Sequence, residues 1–259
     1  MKMRSVVAAS NIGFMCLLMV GIATEAAELK VLSASGIRVV MEDLGPKFER
    51  ATGHKLAITF APLGGIVKRV QEGETTDVVV IPRQGIDSFV KDGKAVAGNV
   101  TVVARSGIGV AVRKGAPKPD ISSPEALKRT LLAAKSISYS DPALGGVSGI
   151  HFAKVLERLG IANEMQSKTV FPKPPGTMEL MVANGEAEIG VGQFQGFIAV
   201  AGIEIVGPLP GDLQDTIVFS AAIMGGTKNA EAAKALVDFL RTPEAAAVIK
   251  AKGLEPAGP

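Results

Sequence analysis

One pattern constrains this chain more than any other: a short apolar strand, a turn of small residues and an amphipathic helix, repeated in that order. Leu29 to Leu32 is a strand that ends in Ser33-Ala34-Ser35-Gly36, after which Ile37, Val40, Met41, Leu44 and Phe48 fall at helical spacing. Thr52-Gly53-His54 closes that helix. Leu56 to Phe60 is the next strand, and Ala61-Pro62-Leu63-Gly64-Gly65 leads into a helix from Ile66 to Gln71. Asp77 to Ile81, apolar between its ends, reads as a strand buried on both faces, and a helix starting at Asp87 stops near Asp92-Gly93. Strands in series with helices between them predict a parallel sheet covered by helices.

Val100 to Val112 is a long β-rich stretch interrupted by Arg105-Ser106-Gly107, and Gly115 to Asp120 follows as a loop. This predicts a crossing between two lobes. The next helix carries its start in its sequence, with Ser123 as cap, Pro124 at the first helical position and Glu125 near the positive end, and it runs to about Ala134. Ile137 to Tyr139 is a strand, Ser140 to Gly149 a Gly-rich loop, and Ile150 to Leu159 a helix closed by Gly160. A helix from Thr177 to Asn184, a strand from Ile189 to Val191 and the tripeptide Gln193-Phe194-Gln195 come next. Ile217 to Met224 reads as the strand that crosses back, and Asn229 and Thr242 cap two C-terminal helices.

The first residues read as a leader. Lys2 and Arg4 precede an almost unbroken apolar run from Val6 to Ala23, and Thr24-Glu25-Ala26 offers small residues where a signal peptidase inspects them, which predicts cleavage after Ala26. Residues 1–26 are thus expected to be a signal peptide, with the rest of the chain exported to the periplasm and without a membrane anchor. The sole cysteine, Cys16, lies in that run, so the mature chain is expected to carry neither a disulfide nor a thiol site. About 230 residues remain, enough to bury roughly 70–75% of the surface the unfolded chain exposes. A net charge of +3, interspersed signs and 4% aromatic residues give no nucleic-acid surface.

In an open α/β sheet, ligands bind beyond the carboxyl ends of the strands, where helix N-termini point N–H groups into a cleft. Ser33 to Gly36, Ala61 to Gly65, Leu144 to Gly149 and Gly192 to Gln195 are the loops expected there, each small, Gly-bearing or amide-bearing. Such loops suit an anion, because each helix terminus favours negative charge by roughly 0.3–2 kcal/mol.

The stretches Leu29 to Gly36, Gln71 to Val78, Ser140-Asp141-Pro142 through Ala153 to Leu156, Asn184 to Gly190 and Ala233 to Leu240 resemble the molybdate-type periplasmic solute-binding proteins of ABC transporters. The resemblance implies the type II periplasmic binding protein fold. This is an α/β architecture of two lobes, each a mostly parallel sheet with flanking helices, closing by a hinge on a ligand cleft between them. Residues 27–105 with 217–259 would form lobe 1, and 106–216 lobe 2. A small anionic ligand and an ABC permease are the implied partners, and no cofactor is implied. In the molybdate binders, serine hydroxyls from the first two loops and a tyrosine from the last contact the oxyanion; the aligned positions here are Gly36, Leu63 (or Pro62) and Gln193. Ser33 and Ser35 compensate in part, and Ser148 lies where the family uses backbone donors. This set suits a larger or planar anion, such as a carboxylate, better than molybdate. The expected ligand-binding residues are then Ser33, Ser35, Gly36, Leu63, Gly64, Ser148, Gly149 and Gln193.

The same residues are similar to the periplasmic aconitate isomerase branch of this superfamily, whose cofactor-free chemistry moves a double bond in a tricarboxylate. Shared features include Ala116 to Lys128 and Ser140-Asp141. A proton-shifting enzyme needs an acid and a base with pKa near 7. His151, in the first turn of its helix beside Ser148-Gly149, is the candidate; His54, in the turn that ends the first helix, reads as a surface residue. Arg38 and Arg83 both follow strand ends and can reach an anion, and Arg83 is the better placed because Pro82 holds the turn ahead of it. Tyr139 reads as core. No Gly-x-x-x-x-Gly-Lys-Ser/Thr loop, Gly-x-Ser-x-Gly elbow or His-Glu-x-x-His pair occurs, and two distant histidines argue against a bound transition metal. A receptor and an isomerase both remain open at this point.

Overall fold

The computed structural model describes residues 26–258, so the leader reading and Cys16 lie outside the described residues. The first half alternates as the pattern requires. β1 (Glu28–Ala34) runs through a 3-10 turn (Ser35–Ile37) into α1 (Arg38–Thr52); β2 (Lys55–Ala61) runs into α2 (Leu63–Gln71); and β3 (Val78–Pro82) runs into α3 (Arg83–Lys91). β3 is buried along its whole length, as an apolar run without alternation demands. α3 starts at Arg83, four residues earlier than Asp87. Pro82 supplies the extended N-cap position (φ −53°, ψ 137°), and Asp87 lies one turn on, where it accepts from Arg83.

β4 (Ala95–Arg113) is a single strand of 19 residues, about 60 Å if fully extended. It is followed by α4 (Pro124–Ala133), β5 (Ile137–Tyr139), a 3-10 turn (Pro142–Leu144), α5 (Val147–Arg158), α6 (Ala162–Gln166), α7 (Met178–Asn184), β6 (Ile189–Gln193), α8 (Phe194–Ala199) and β7 (Ile203–Pro208). β8 (Thr216–Met224), α9 (Ala230–Phe239), α10 (Pro243–Ala251) and β9 (Glu255–Pro256) complete the chain. α5 begins at Val147, ahead of the expected Ile150, which places Ser148 and Gly149 inside its first turn. α8 and β7 had no clear signal in the sequence, since α8 is six residues long and β7 is half-buried up to its exposed last residue, Pro208.

The strands form two connected sheets. In the first the order is β2-β1-β3-β8-β4, with β1, β2 and β3 parallel and β8 and β4 entering antiparallel. In the second, β5 lies parallel to β6, and β6 and β7 pair antiparallel with β4. β4 belongs to both: Ala95 to Gly107 pairs with β8, and Ile108 to Arg113 pairs with β6 and β7. The crossing occurs between Gly107 and Ile108, next to Thr216, where the returning chain pairs with Gly107. Two lobes share one long strand, with a cleft between them.

Local chemistry explains several joints. Ser123 Oγ accepts from Ala126 N–H (3.1 Å) and Thr242 Oγ1 from Ala245 N–H (3.2 Å), so both sequence-predicted caps operate. Asn229 occupies the N-cap position of α9, but its side chain donates to Asp77 Oδ1 (3.4 Å) instead of capping. His54 is not a surface residue. It is 8% exposed, stacks on Phe48 and accepts from Ala27 N–H through Nδ1 at 3.1 Å. The imidazole tucks under the start of β1 because that backbone donor would otherwise be unpaired. Tyr139 is core, edge-on to Phe152 and Phe171. Among the described residues no helix is long and apolar enough to cross a membrane.

Candidate functional site

The cleft between the lobes has a volume of about 510 Å³, within the roughly 300–1,000 Å³ of small-molecule sites. Its wall is built where the fold says a ligand should sit: at the carboxyl ends of β1, β2, β5 and β6 and the first turns that follow them. Ser35, Gly36 and Arg38 come from the start of α1, Pro62 and Leu63 from the start of α2, Val147 and Ser148 from α5, Met178 and Glu179 from α7, and Gln193 and Gln195 from the β6–α8 junction. None of these helix starts is capped by a side chain, although the N–H groups of Arg38 and Gly64 are taken by Ser35 O and Gly145 O. The aligned peptide dipoles favour negative charge there.

Of the residues read from the sequence, Ser35, Gly36, Leu63, Ser148 and Gln193 are brought together on the cleft wall. The others lie elsewhere. Ser33 is wholly buried in β1, and its hydroxyl has no partner among the described residues. Gly64 is a lobe-to-lobe contact: its N–H donates to Gly145 O at 3.4 Å, and a Cβ on Gly64 would lie 3.0 Å from Gly145 Cα. Gly149 packs the first turn of α5 directly on the Ser140 carbonyl, where no side chain fits. Arg83 is exposed and pairs with Asp87 at 2.7 Å; starting a helix turns its side chain along that helix. His151 also lies off the wall, with Nε2 2.8 Å from Leu213 O and Nδ1 3.6 Å from Asp215 Oδ2. Although His151 sits one turn after Ser148 in α5, these two partners hold its ring against the β7–β8 connection.

Two residues the sequence did not single out matter more. Gln195, 2% exposed, accepts from Ser106 Oγ (2.5 Å) on β4 and donates to Gly36 O (2.5 Å) at the head of α1 and to Gln193 Oε1. One amide thereby links the crossing strand and both lobes. Glu179, in the first turn of α7, is the second. Burial pushes its carboxyl above the usual carboxylate range, opposed only by its own backbone N–H. The sequence offers no signal for it, because an acid in the first turn of a helix is ordinary.

Among the described residues, only two other charged residues line the cleft. Arg38 lies over the Phe60 ring (4.2 Å to its centroid) and pairs with Glu42 at 3.4 Å. Asp141 accepts from Ala143 N–H at 2.9 Å and so holds its own loop. Hydroxyls, amides and backbone N–H groups therefore dominate the polar lining, a donor set made for an anion rather than a cation.

The comparisons agree with this geometry. The model of a family described as bacterial extracellular solute-binding protein matches residues 29–255. An aconitate isomerase from a Pseudomonas species is 37% identical over 235 residues, 88% of this chain and 87% of the relative. The molybdate-binding protein ModA of Azotobacter vinelandii is 32% identical over 240 residues, 89% of this chain and 91% of the relative. Among solved structures, the periplasmic molybdate-binding protein of Azotobacter vinelandii has a TM-score of 0.73 at 23% identity, covering 89% of this chain and 99% of that one. The tungstate ABC transporter protein of Geobacter sulfurreducens has a TM-score of 0.66 at 18% identity, covering 86% and 98%. These two show the shared two-lobed fold, that of type II periplasmic binding proteins. By the match along nearly its whole length, this chain belongs to the bacterial extracellular solute-binding protein family.

Proposed function

We propose that the protein is a periplasmic receptor that closes over a small anion, a carboxylate or an oxyanion, and presents it to an ABC-type permease. The observation that carries this reading is the convergence of uncapped helix starts with Ser35, Ser148 and Gln193 on one interlobe cleft. Several N–H and hydroxyl hydrogen bonds to a charged ligand, each worth roughly 1.5–3 kcal/mol, reach the roughly 8 kcal/mol of micromolar binding. Residues 27–105 with 217–259 would move as one lobe and 106–216 as the other, about the Gly107–Ile108 crossing. Gln193, whose Oε1 is taken by Gln195, would offer its amide NH2 to the ligand.

A second reading, a cofactor-free isomerase of a small polycarboxylate, has one observation in its favour: Glu179 is a cleft carboxyl whose burial moves it toward the range a proton-transfer group needs. His151 lies off the cleft wall, so this reading passes the proton-transfer role from His151 to Glu179. A thermal-shift screen of molybdate, tungstate, sulfate, citrate and trans-aconitate, with NMR of every stabilising compound after incubation, separates the two. Stabilisation without conversion supports the receptor; conversion of trans-aconitate overturns it; stabilisation by molybdate and tungstate alone removes the carboxylates.

A further inference from the structure

Glu179 poses a problem for an anion receptor. An ionised carboxylate in the wall of an anion cleft repels the ligand, and no cation stands beside it to offset the charge. Among the described residues Glu179 takes part in no ion pair. Of the charged residues that share the cleft, Arg38 is engaged with Phe60 and Glu42 on the opposite lobe, and Asp141 is tied to Ala143 N–H. The elements packed on α7 are β4, β5, β6 and β7, and α8 presents Gly196 beside the Glu179 carboxyl. No charged group on any of these elements acts on Glu179; what acts is burial, opposed by its own N–H.

The placement of the carboxyl is specific. A Cβ on Gly196 would collide with Glu179 Oε1 and approach its Cδ to 3.1 Å, so the carboxyl lies flat on the one residue of the α8 first turn that lacks a side chain. The same cleft wall carries Met178, which packs its thioether under Gly190 and Gly192, and the Gln193–Gln195 pair that holds Gly36 of the other lobe.

We propose that Glu179 shares a proton with the bound anion: the carboxylic acid donates a hydrogen bond to a ligand oxygen, and the cleft selects small carboxylates that accept it. This rests on the receptor reading and names its ligand class. When binding occurs above the free-state pKa, the hydrogen ion comes from solvent and resides on the Glu179 carboxyl, so one proton is taken up per anion. A second negative charge at the site raises the carboxyl's pKa further, so affinity is full while the acid is protonated and falls as pH rises, toward a limit of about tenfold per pH unit for one proton.

The test is calorimetric titration of the full mature chain with trans-aconitate and with molybdate from pH 7.5 to 9, where every carboxyl of the free ligand is ionised although like charges on one molecule raise the last of them. Each titration is run in two buffers of different ionisation enthalpy. Wild-type protein is expected to take up as much as one proton with trans-aconitate and to lose affinity as pH rises. Glu179→Gln, whose amide still donates, is expected to bind trans-aconitate with neither proton uptake nor that slope. Gly196→Ala, which displaces the carboxyl, is expected to weaken trans-aconitate at least tenfold. PH-independent wild-type binding, a slope that survives in Glu179→Gln, loss of all binding in a Glu179→Gln protein with unchanged melting temperature, or molybdate bound in preference to trans-aconitate each overturns the proposal while leaving an anion receptor standing. Failure of every anion to bind wild-type protein overturns the receptor reading and the proposal with it.

Discussion

Gln214 holds Ile108 by both of its backbone groups: its Oε1 accepts from Ile108 N–H at 3.0 Å, and its Nε2 donates to Ile108 O at 2.8 Å. The amide takes the place of a strand partner at the residue where β4 leaves β8 for β6, and it joins the outgoing crossing segment to the returning one. Gln214→Glu keeps the volume but sets a carboxylate oxygen against the Ile108 carbonyl. A loss of about 1–3 kcal/mol is expected, read as a melting temperature lowered by roughly 2–4 °C per kcal/mol.

The lobes touch backbone to backbone at Gly64 and Gly145, where glycine at 145 is required twice over, by its φ of +74° and by a Cα–Cβ approach of 2.5 Å to Gly64. Gly64→Ala leaves α2 intact but crowds Gly145 and the Leu144 carbonyl. It is expected to disfavour the closed arrangement and weaken anion affinity by about tenfold, roughly 1.4 kcal/mol, with the melting temperature of the ligand-free protein unchanged or raised. Equal affinities in wild type and variant refute the contact as a closure contact.

Asp77, 8% exposed, accepts from Lys30 N–H (2.8 Å), Thr227 Oγ1 (2.6 Å) and Asn229 Nδ2 (3.4 Å), tying β1 to the loop before α9. Asp77→Ala strands these donors together. A destabilisation of about 2–4 kcal/mol is expected from several unpaired groups, measurable by urea unfolding with an unchanged slope.

His151→Ala removes the bond to Leu213 O and leaves the cleft wall as it was. Stability is expected to fall by about 1 kcal/mol, and anion affinity to stay within twofold of wild type. A loss of binding or of turnover in this variant would return His151 to the site.

The Lys252 ammonium, 3.0 Å from Asp43, holds that carboxyl below the usual carboxylate range, with Lys47 adding to it at 3.7 Å. A depressed carboxyl stabilises the fold above its unfolded pKa, near 4, and that contribution disappears as pH falls through the folded value. Asp43 and its partners are about one-third exposed, so the effect is below about 1 kcal/mol. Asp43→Asn is expected to melt slightly lower than wild type at pH 7, and the difference to vanish near pH 2.

How much of this was legible in the chain depends on the range of the forces involved. The strand–turn–helix order, the buried β3, the crossing near Gly107 and the caps at Ser123 and Thr242 are local, set by hydrophobic period and by residues within one turn of each other. They put Ser35, Gly36, Leu63, Ser148 and Gln193 at strand ends, and a sheet of this kind gathers its strand ends in one place. What failed was direction. Arg83 follows a strand end, but beginning a helix turned it to Asp87; His151 lies one turn after Ser148, but its ring is bonded to Leu213 of the returning segment; His54 ends a helix, but the start of β1 folded over it.

The sequence by itself determined the order of elements and the class of fold, because period, caps and glycine turns act within a few residues. Only the tertiary structure decided which side chains face the cleft. Glu179 is one acidic first-turn residue among several until two lobes close around it, and Gln195 is an amide two residues past another until Ser106 and Gly36, separated from it by 89 and 159 positions, come within reach. Burial and desolvation belong to the assembled cleft, and they turn an ordinary carboxyl into the group on which ligand choice is proposed to depend.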